Sequence, residues 1–167
     1  MQFYKMNGAG NDFVILSNLD GSLPEHILPD LARTICHRQL SIGADGMMVI
    51  APPQAGGDFK MLFYNQDGSV GEMCGNGARC ICRYGYELGL CGEAQRIETM
   101  AGLVTGRRID RRNYEIRLND PSVLKLDYPV EALGKRYAGA YVELGNPGIP
   151  HAVIPMENLR QIPRQEL

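Results

Sequence analysis

Asn65-Gln66-Asp67-Gly68-Ser69-Val70-Gly71-Glu72-Met73-Cys74-Gly75-Asn76-Gly77-Ala78-Arg79 passes from a tight turn into the start of a helix. Asp67-Gly68 supplies the positive-φ position that such a turn needs. After Cys74 come Ala78, Ile81, Cys82, Gly85 and Leu88 at helical spacing, and Gly89 stops the pattern. Small residues dominate the inner face of this predicted helix. It can therefore lie close to neighbouring backbone, as a helix threaded into a curled sheet would.

The same run carries chemistry. Cys74 precedes a helix whose first amides have no intrahelical partner, and the partial positive charge there favours thiolate over thiol. Gly75 and Gly77 remove side chains, so an anion can approach the free N–H groups closely. A base and an oxyanion cradle thus stand within a few residues of each other. That suits proton removal beside a carboxylate, where charge builds on the carboxylate oxygens. The plainer alternative is a buried cysteine followed by a flexible helix cap, which is what an isolated Cys-Gly pair means. Two glycines, an asparagine and the upstream Asn-x-Asp-Gly-Ser turn favour function.

Outward from this centre, Gln2 to Met6 alternates like a strand, Asn7 to Asp12 is a turn cluster, and Phe13 to Leu16 forms a second strand. Pro29 and Asp30 open a helix with Leu31, Ala32, Ile35 and Cys36 as its buried stripe. Gly43-Ala44-Asp45-Gly46 breaks that pattern before a buried strand from Met47 to Ala51, and Phe59 to Tyr64 is another strand. Downstream, Ile97 to Thr99, Leu103 to Ile109 and Tyr114 to Leu118 read as antiparallel strands, the last pair joined by Asp110-Arg111-Arg112-Asn113. Asn119-Asp120-Pro121-Ser122 marks a boundary. It divides a first domain, 1–118, from a second, 119–167, which the chain begins and does not finish. That second part shows fewer elements: a strand from Ala140 to Leu144, a Gly/Pro loop from Gly145 to Pro150, a strand from Ala152 to Ile154, and a closing stretch from Asn158.

Totals exclude several classes of function. Of 167 residues, 44% are hydrophobic and 22% charged, as in soluble globular proteins. The net charge of −2 carries no polybasic signature for nucleic acid or an anionic membrane. No apolar run is long enough to span a bilayer and no signal peptide is evident, so a cytoplasmic protein is expected. Five cysteines, an odd number, argue for reduced thiols, and their spacing contains no zinc-finger pair. Neither Gly8-x-Gly10 nor Gly75-x-Gly77 extends to a dinucleotide fingerprint. Lys5, Lys60, Lys125 and Lys135 stand outside every motif, so no Schiff-base lysine for pyridoxal phosphate is apparent and no cofactor is expected. His26 and His37 read as surface residues, and the arginines at 107, 108, 111 and 112 as a solvated turn.

The Asn65-x-Asp67-Gly68-Ser69-x4-Cys74-Gly75-Asn76-Gly77-x-Arg79 pattern resembles the signature of the diaminopimelate epimerase family. Met6-Asn7-Gly8-Ala9-Gly10-Asn11-Asp12-Phe13, Gly43-Ala44-Asp45-Gly46, Gly145-Asn146-Pro147 and His151-Ala152-Val153 agree with it in the expected order. The resemblance implies an α+β fold: a barrel-shaped mixed sheet around a central helix, the first of two pseudo-symmetric domains with an incomplete second. It implies a cofactor-independent epimerase that interconverts LL- and meso-diaminopimelate between two thiols, in lysine and cell-wall precursor biosynthesis. The implied partners are a small amino-acid substrate and possibly a second copy in a homodimer.

Carried over residue by residue, Cys74 is one proton-transfer thiol. Gly75 and Asn76 offer amides to the α-carboxylate, Asn11, Asn65 and Asn146 contact the substrate, and His151 orients the site. Two departures are visible. Gly148-Ile149-Pro150 separates Asn146-Pro147 from His151, which the family often has contiguous, and Gly46 stands where some members have a glutamine. The second Cys-Gly-Thr/Ser run is not among these residues, so this chain alone is expected to be inactive. The alternatives are a related proline racemase-like or phenazine-pathway-like isomerase, or a non-catalytic binding half.

Overall fold

The computed structural model describes residues 1–132, 134–146 and 148–157. It divides between Asn119 and Asp120 into two compact units. The closing stretch from Asn158 and Pro147 of the Gly-Asn-Pro motif lie outside the described residues.

The first unit is a mixed sheet curled around one helix. Its strands are β1 (Tyr4–Gly8), β2 (Asn11–Ser17), β3 (Gly46–Ala51), β4 (Phe59–Asn65), β5 (Val70–Gly71), β6 (Ala94–Thr99), β7 (Gly102–Arg108) and β8 (Tyr114–Arg117). The spatial order is β1-β2-β3-β4-β6-β7-β8, with β5 paired to β4. The β2–β3 and β4–β6 pairs are parallel, and both need long crossovers. The first contains α1 (Leu28–Ile35) and the second α2 (Gly75–Glu87). α2 touches β1 and β8, the two edges of the sheet, as well as strands between them, so the sheet wraps it.

The apolar pattern follows from this layering. Phe13 and Ile15 face α2 while Val14 and Leu16 face α1, which makes β2 a continuous buried run. β3 is buried at all six positions for the same reason. Under α2, Phe13 meets Phe63 edge-on at 6.2 Å, and Met48, Phe59, Ile81, Cys82 and Ile97 fill the remainder. The buried face of α2 is Gly77, Ala78, Cys80, Ile81, Cys82, Tyr84 and Gly85, which holds the expected Ala78, Ile81, Cys82 and Gly85, whereas Leu88 is the exposed C-cap.

Several boundaries differ from the expectation. The turn cluster Asn7–Asp12 shrinks to two residues, because Asn7 and Gly8 belong to β1, and Asn11 and Asp12 to β2. Ala9 (φ 51°) and Gly10 (φ 106°) make the tight connection, with positive φ at both positions as the twist of a two-residue hairpin requires. The strand expected at Gln2–Met6 is correspondingly shifted to Tyr4–Gly8.

The second unit is a three-stranded antiparallel sheet of order β11-β10-β9, built from β9 (Pro121–Ala132), β10 (Lys135–Leu144) and β11 (Ile149–Val153). β9 had no counterpart in the sequence reading, and β10 starts five residues before the expected Ala140. Leu124, Leu126, Tyr128 and Val130 do alternate with polar residues, but Pro129 inside the run argues against a strand; β9 tolerates it as an edge strand, with no residue buried. The Gly/Pro loop expected over 145–150 is shorter, since Ile149 and Pro150 pair with Leu144 and Glu143. β11 is an edge strand, where a proline's missing N–H is tolerated.

Candidate functional site

Cys74 is the N-cap of α2, half-buried, with extended backbone (φ −137°, ψ 112°). Its side chain makes no capping hydrogen bond. The first intrahelical bond is from Ala78 N–H to the Cys74 carbonyl, at 2.7 Å. The N–H groups of Gly75, Asn76 and Gly77 therefore have no acceptor within the helix, and the positive end of the helix dipole lies among them.

The tip of the β1–β2 hairpin is pressed against this helix start. A Cβ on Gly8 would stand 2.5 Å from the Asn76 carbonyl oxygen and 2.8 Å from Cys80 Sγ, so only glycine permits the approach. Directly across the hairpin from Gly8 is Asn11. Its Oδ1 accepts a hydrogen bond from Asn76 Nδ2 at 2.9 Å, and its Nδ2 donates to Asp45 Oδ2 at 3.0 Å. Arg79 Nη1 donates to Asn76 Oδ1 at 3.1 Å and to the Gly75 carbonyl at 3.0 Å. Asp45 and Arg79 lie within the Gly43–Gly46 and Cys74–Arg79 motifs, which by themselves assign them no role. An acceptor-only and a donor-only side chain flanking two asparagines is a signal visible only once the fold brings the four together.

Asp45 belongs to a charged cluster behind Asn11. Arg38 bridges Asp12 at 2.8 Å and Asp45 at 2.6 Å, and Lys5 reaches Asp12 at 2.9 Å. The Arg38 guanidinium holds the Asp12 carboxyl well below the usual carboxylate range. The Asn11 amide does the same, more mildly, for Asp45.

Asn65 ends β4 opposite Gly46, which in turn pairs with Phe13, two residues from Asn11. Register thus brings Asn65 and Asn11 to the same end of the sheet. The Asn65 amide donates to Ser69 Oγ at 3.0 Å, while Ser69 N–H and O–H both reach Asp67 Oδ1, at 2.8 and 2.6 Å. Asn146 and His151 lie in the second unit. Asn146 is exposed between β10 and β11, and His151 is exposed on β11 with Nδ1 2.9 Å from the Ile149 carbonyl.

The other thiols have different surroundings. Burial pushes the Cys36 thiol up to about 11 and Cys82 up to about 12. Burial and then the neighbouring Cys74 lift Cys80 to about 11, and burial with the nearby Asp58 lifts Cys91 to about 11. A groove of about 540 Å³ runs beside α2, lined in part by Lys5, Arg79, Arg83, Arg112 and Tyr114, and does not include Cys74 or Asn11. Two of its four cations are paired with carboxylates, Lys5 with Asp12 at 2.9 Å and Arg83 with Glu87 at 2.7 Å. The arginine-rich β7–β8 turn is similar: Arg107 pairs with Glu115 and Arg108 with Glu93. Among the described residues no group of three His, Cys, Asp or Glu could hold a metal, and no helix is long and apolar enough to cross a membrane.

The family model for diaminopimelate epimerase matches residues 3–118. A diaminopimelate epimerase of Moorella thermoacetica is 38% identical over 98% of this chain and 63% of its own length. One from Aquifex aeolicus is 35% identical over 97% of this chain and 60% of its own. The chain thus spans about three-fifths of the length of these curated relatives. Among solved structures, a probable proline racemase from Agrobacterium radiobacter superposes with a TM-score of 0.67 at 17% identity, covering 91% of this chain and 51% of that one. A phenazine biosynthesis protein of the PhzF family from Bacillus anthracis gives 0.62 at 16% identity, covering 93% and 57%. At such low identity these two speak for the fold alone.

Proposed function

The chain belongs to the diaminopimelate epimerase family, and on that premise we propose that it carries one thiol of a cofactor-independent epimerase interconverting LL- and meso-diaminopimelate. The observation that supports this most is the position of Cys74, a half-buried residue at the N-cap of a helix whose first three N–H groups have no intrahelical acceptor. In the proposed reaction the Cys74 thiolate takes the α-hydrogen as a proton. The electron pair left on the carbon spreads into the α-carboxylate, whose oxygens gain charge. The N–H groups of Gly75 and Asn76 stabilise that charge, and more strongly in the transition state than in the bound substrate. A second acid returns a proton to the opposite face, which completes inversion.

Asn11, Asn65 and the side chain of Asn76 are proposed to hydrogen-bond the substrate's polar ends. Asn146 and His151 are proposed as a further contact and an orienting residue on the strength of their motifs. The second acid is not proposed among the remaining cysteines of this sequence: Cys36, Cys80 and Cys82 are buried, and only Cys91 is followed by glycine, with Glu93 where the family's second run has threonine or serine. This chain by itself is therefore proposed not to invert its substrate. Lysine and cell-wall precursor biosynthesis in the cytoplasm, as a homodimer, is the setting that goes with this reading.

The test is hydrogen exchange at the α-carbon. With LL- or meso-diaminopimelate in deuterium oxide, the 167-residue chain is expected to give no inversion. Joined to a segment bearing the second thiol, it is expected to incorporate α-deuterium and invert, and to lose both with Cys74→Ala. Inversion at full enzymatic rate by this chain alone refutes the two-thiol reading, and full turnover with Cys74→Ala removes Cys74 from the mechanism.

A further inference from the structure

We propose that Asp45 and Arg79 are positioning residues that set which way the Asn11 and Asn76 carboxamides face, an inference that rests on those asparagines meeting the substrate. A carboxamide rotated by half a turn exchanges its acceptor for its donors with almost no change of shape, so position alone leaves its chemistry undetermined. Here the ends of a hydrogen-bonded row remove the ambiguity. The Asp45 carboxylate can only accept, and it takes Asn11 Nδ2–H at 3.0 Å. Asn11 Oδ1 must then face the other way, where it accepts from Asn76 Nδ2 at 2.9 Å. Asn76 Oδ1 accepts in turn from Arg79 at 3.1 Å, and a guanidinium can only donate.

Rotating either asparagine would set oxygen against oxygen or N–H against N–H at both of its contacts. The row has one self-consistent direction. Its ends are themselves held, Asp45 by the Asp12 N–H at 3.1 Å and by Arg38, and Arg79 by the Gly75 carbonyl. In this direction each asparagine retains one Nδ2–H outside the row. Those donors, beside the free helix amides, suit a carboxylate.

The experiment uses the whole 167-residue chain labelled with ¹⁵N. Side-chain NH₂ signals of Asn11 and Asn76 are identified by their loss in Asn11→Ala and Asn76→Ala. Asp45→Ala is expected to shift both signals, although only Asn11 touches Asp45, and to speed their exchange with solvent several-fold. Arg79→Ala is expected to shift both, although only Asn76 touches Arg79, and Arg79→Lys, which restores a donor, to return them. Unchanged backbone signals in β3 and β4 separate this from general unfolding. Arg79 is exposed, so its variants decide the matter even if Asp45→Ala does not fold. Variants that move only the asparagine they touch, or neither, overturn the proposal. Coupling of the two signals decides the orientation device, whereas binding of diaminopimelate by the unsubstituted chain decides the function it serves.

Discussion

Gly77, in the first turn of α2, lies so close to Met48 of β3 that a Cβ on the glycine would overlap the methionine's terminal methyl. Met48 is fully buried, so its flexible end can yield to such a Cβ only by repacking within the core. The helix that carries Cys74 is thus seated on the sheet so closely that a side chain at position 77 must displace the end of Met48.

Gly77→Ala is accordingly expected to destabilise the protein, even though alanine is the better helix former. Overpacking a dense core costs about 1–3 kcal/mol, against a propensity gain of about 1 kcal/mol, which leaves a net loss of up to about 2 kcal/mol. Thermal unfolding should show a Tm lower by roughly 2–4 °C for each kcal/mol lost. Gly75→Ala is the contrast, because a Cβ there meets Leu118 at 3.6 Å and Arg79 at 3.8 Å, ordinary contacts. Equal stability of Gly77→Ala and the unsubstituted protein would show that α2 is not held so tightly.

Thiol chemistry should single out Cys74. Cys36, Cys80 and Cys82 are buried, and Cys91, half-buried like Cys74, is pushed up to about 11. Iodoacetamide near neutral pH, followed by peptide mass spectrometry, is expected to label Cys74 first and the others only on unfolding. The same four raised thiols fix a sign for alkaline stability. A native pKa above the unfolded value means the folded state keeps its protons longer. Their contribution is fully present below about pH 9 and is lost as pH rises through 11 to 12. Labelling of Cys91 ahead of Cys74 would contradict this ranking.

At the acid end the sign reverses. Asp12 and Asp45 are held below the usual carboxylate range, so the folded state binds their protons later than the unfolded chain does. Their stabilisation is present above about pH 4 and disappears as pH falls through the depressed values. Arg38→Ala removes the principal partner of Asp12, and the acid-unfolding midpoint is expected to move up by as much as about one pH unit. Denaturant midpoints measured across pH 2 to 7 check this, and an unmoved acid limb would mean that Arg38 is an idle surface pair.

The sequence made the centre of the first unit legible and left its connections obscure. The helix after Cys74 could be read because glycines and small residues can occupy a close-packed face for few other reasons. β2 and β3 could be read because both faces are buried and the apolar run is unbroken. β9 is obscured although Leu124, Leu126, Tyr128 and Val130 alternate with Lys125, Asp127, Pro129 and Glu131, because a proline inside the run reads as a breaker. The hairpin turn was blurred because Asn7, Gly8, Asn11 and Asp12 are turn formers by type, while Ala9, which takes the strained φ, is not. Of the proposed site residues, Cys74, Gly75 and Asn76 stand out by adjacency. The directions of Asn11 and Asn76 depend on Asp45 and Arg79, partners that only the folded chain supplies.

The bond between Asn11 and Asn76 joins residues 65 apart in the chain, and that between Asn11 and Asp45 joins residues 34 apart. Nothing resembling this arrangement can exist in a nascent hairpin or an isolated helix, because each contributes a single corner. The parallel pairing of β2 with β3 must be achieved first, and such long-range closures are slow. Competence to hold a ligand should therefore emerge in one late, cooperative step, making ligand capture a sensitive reporter of completed folding.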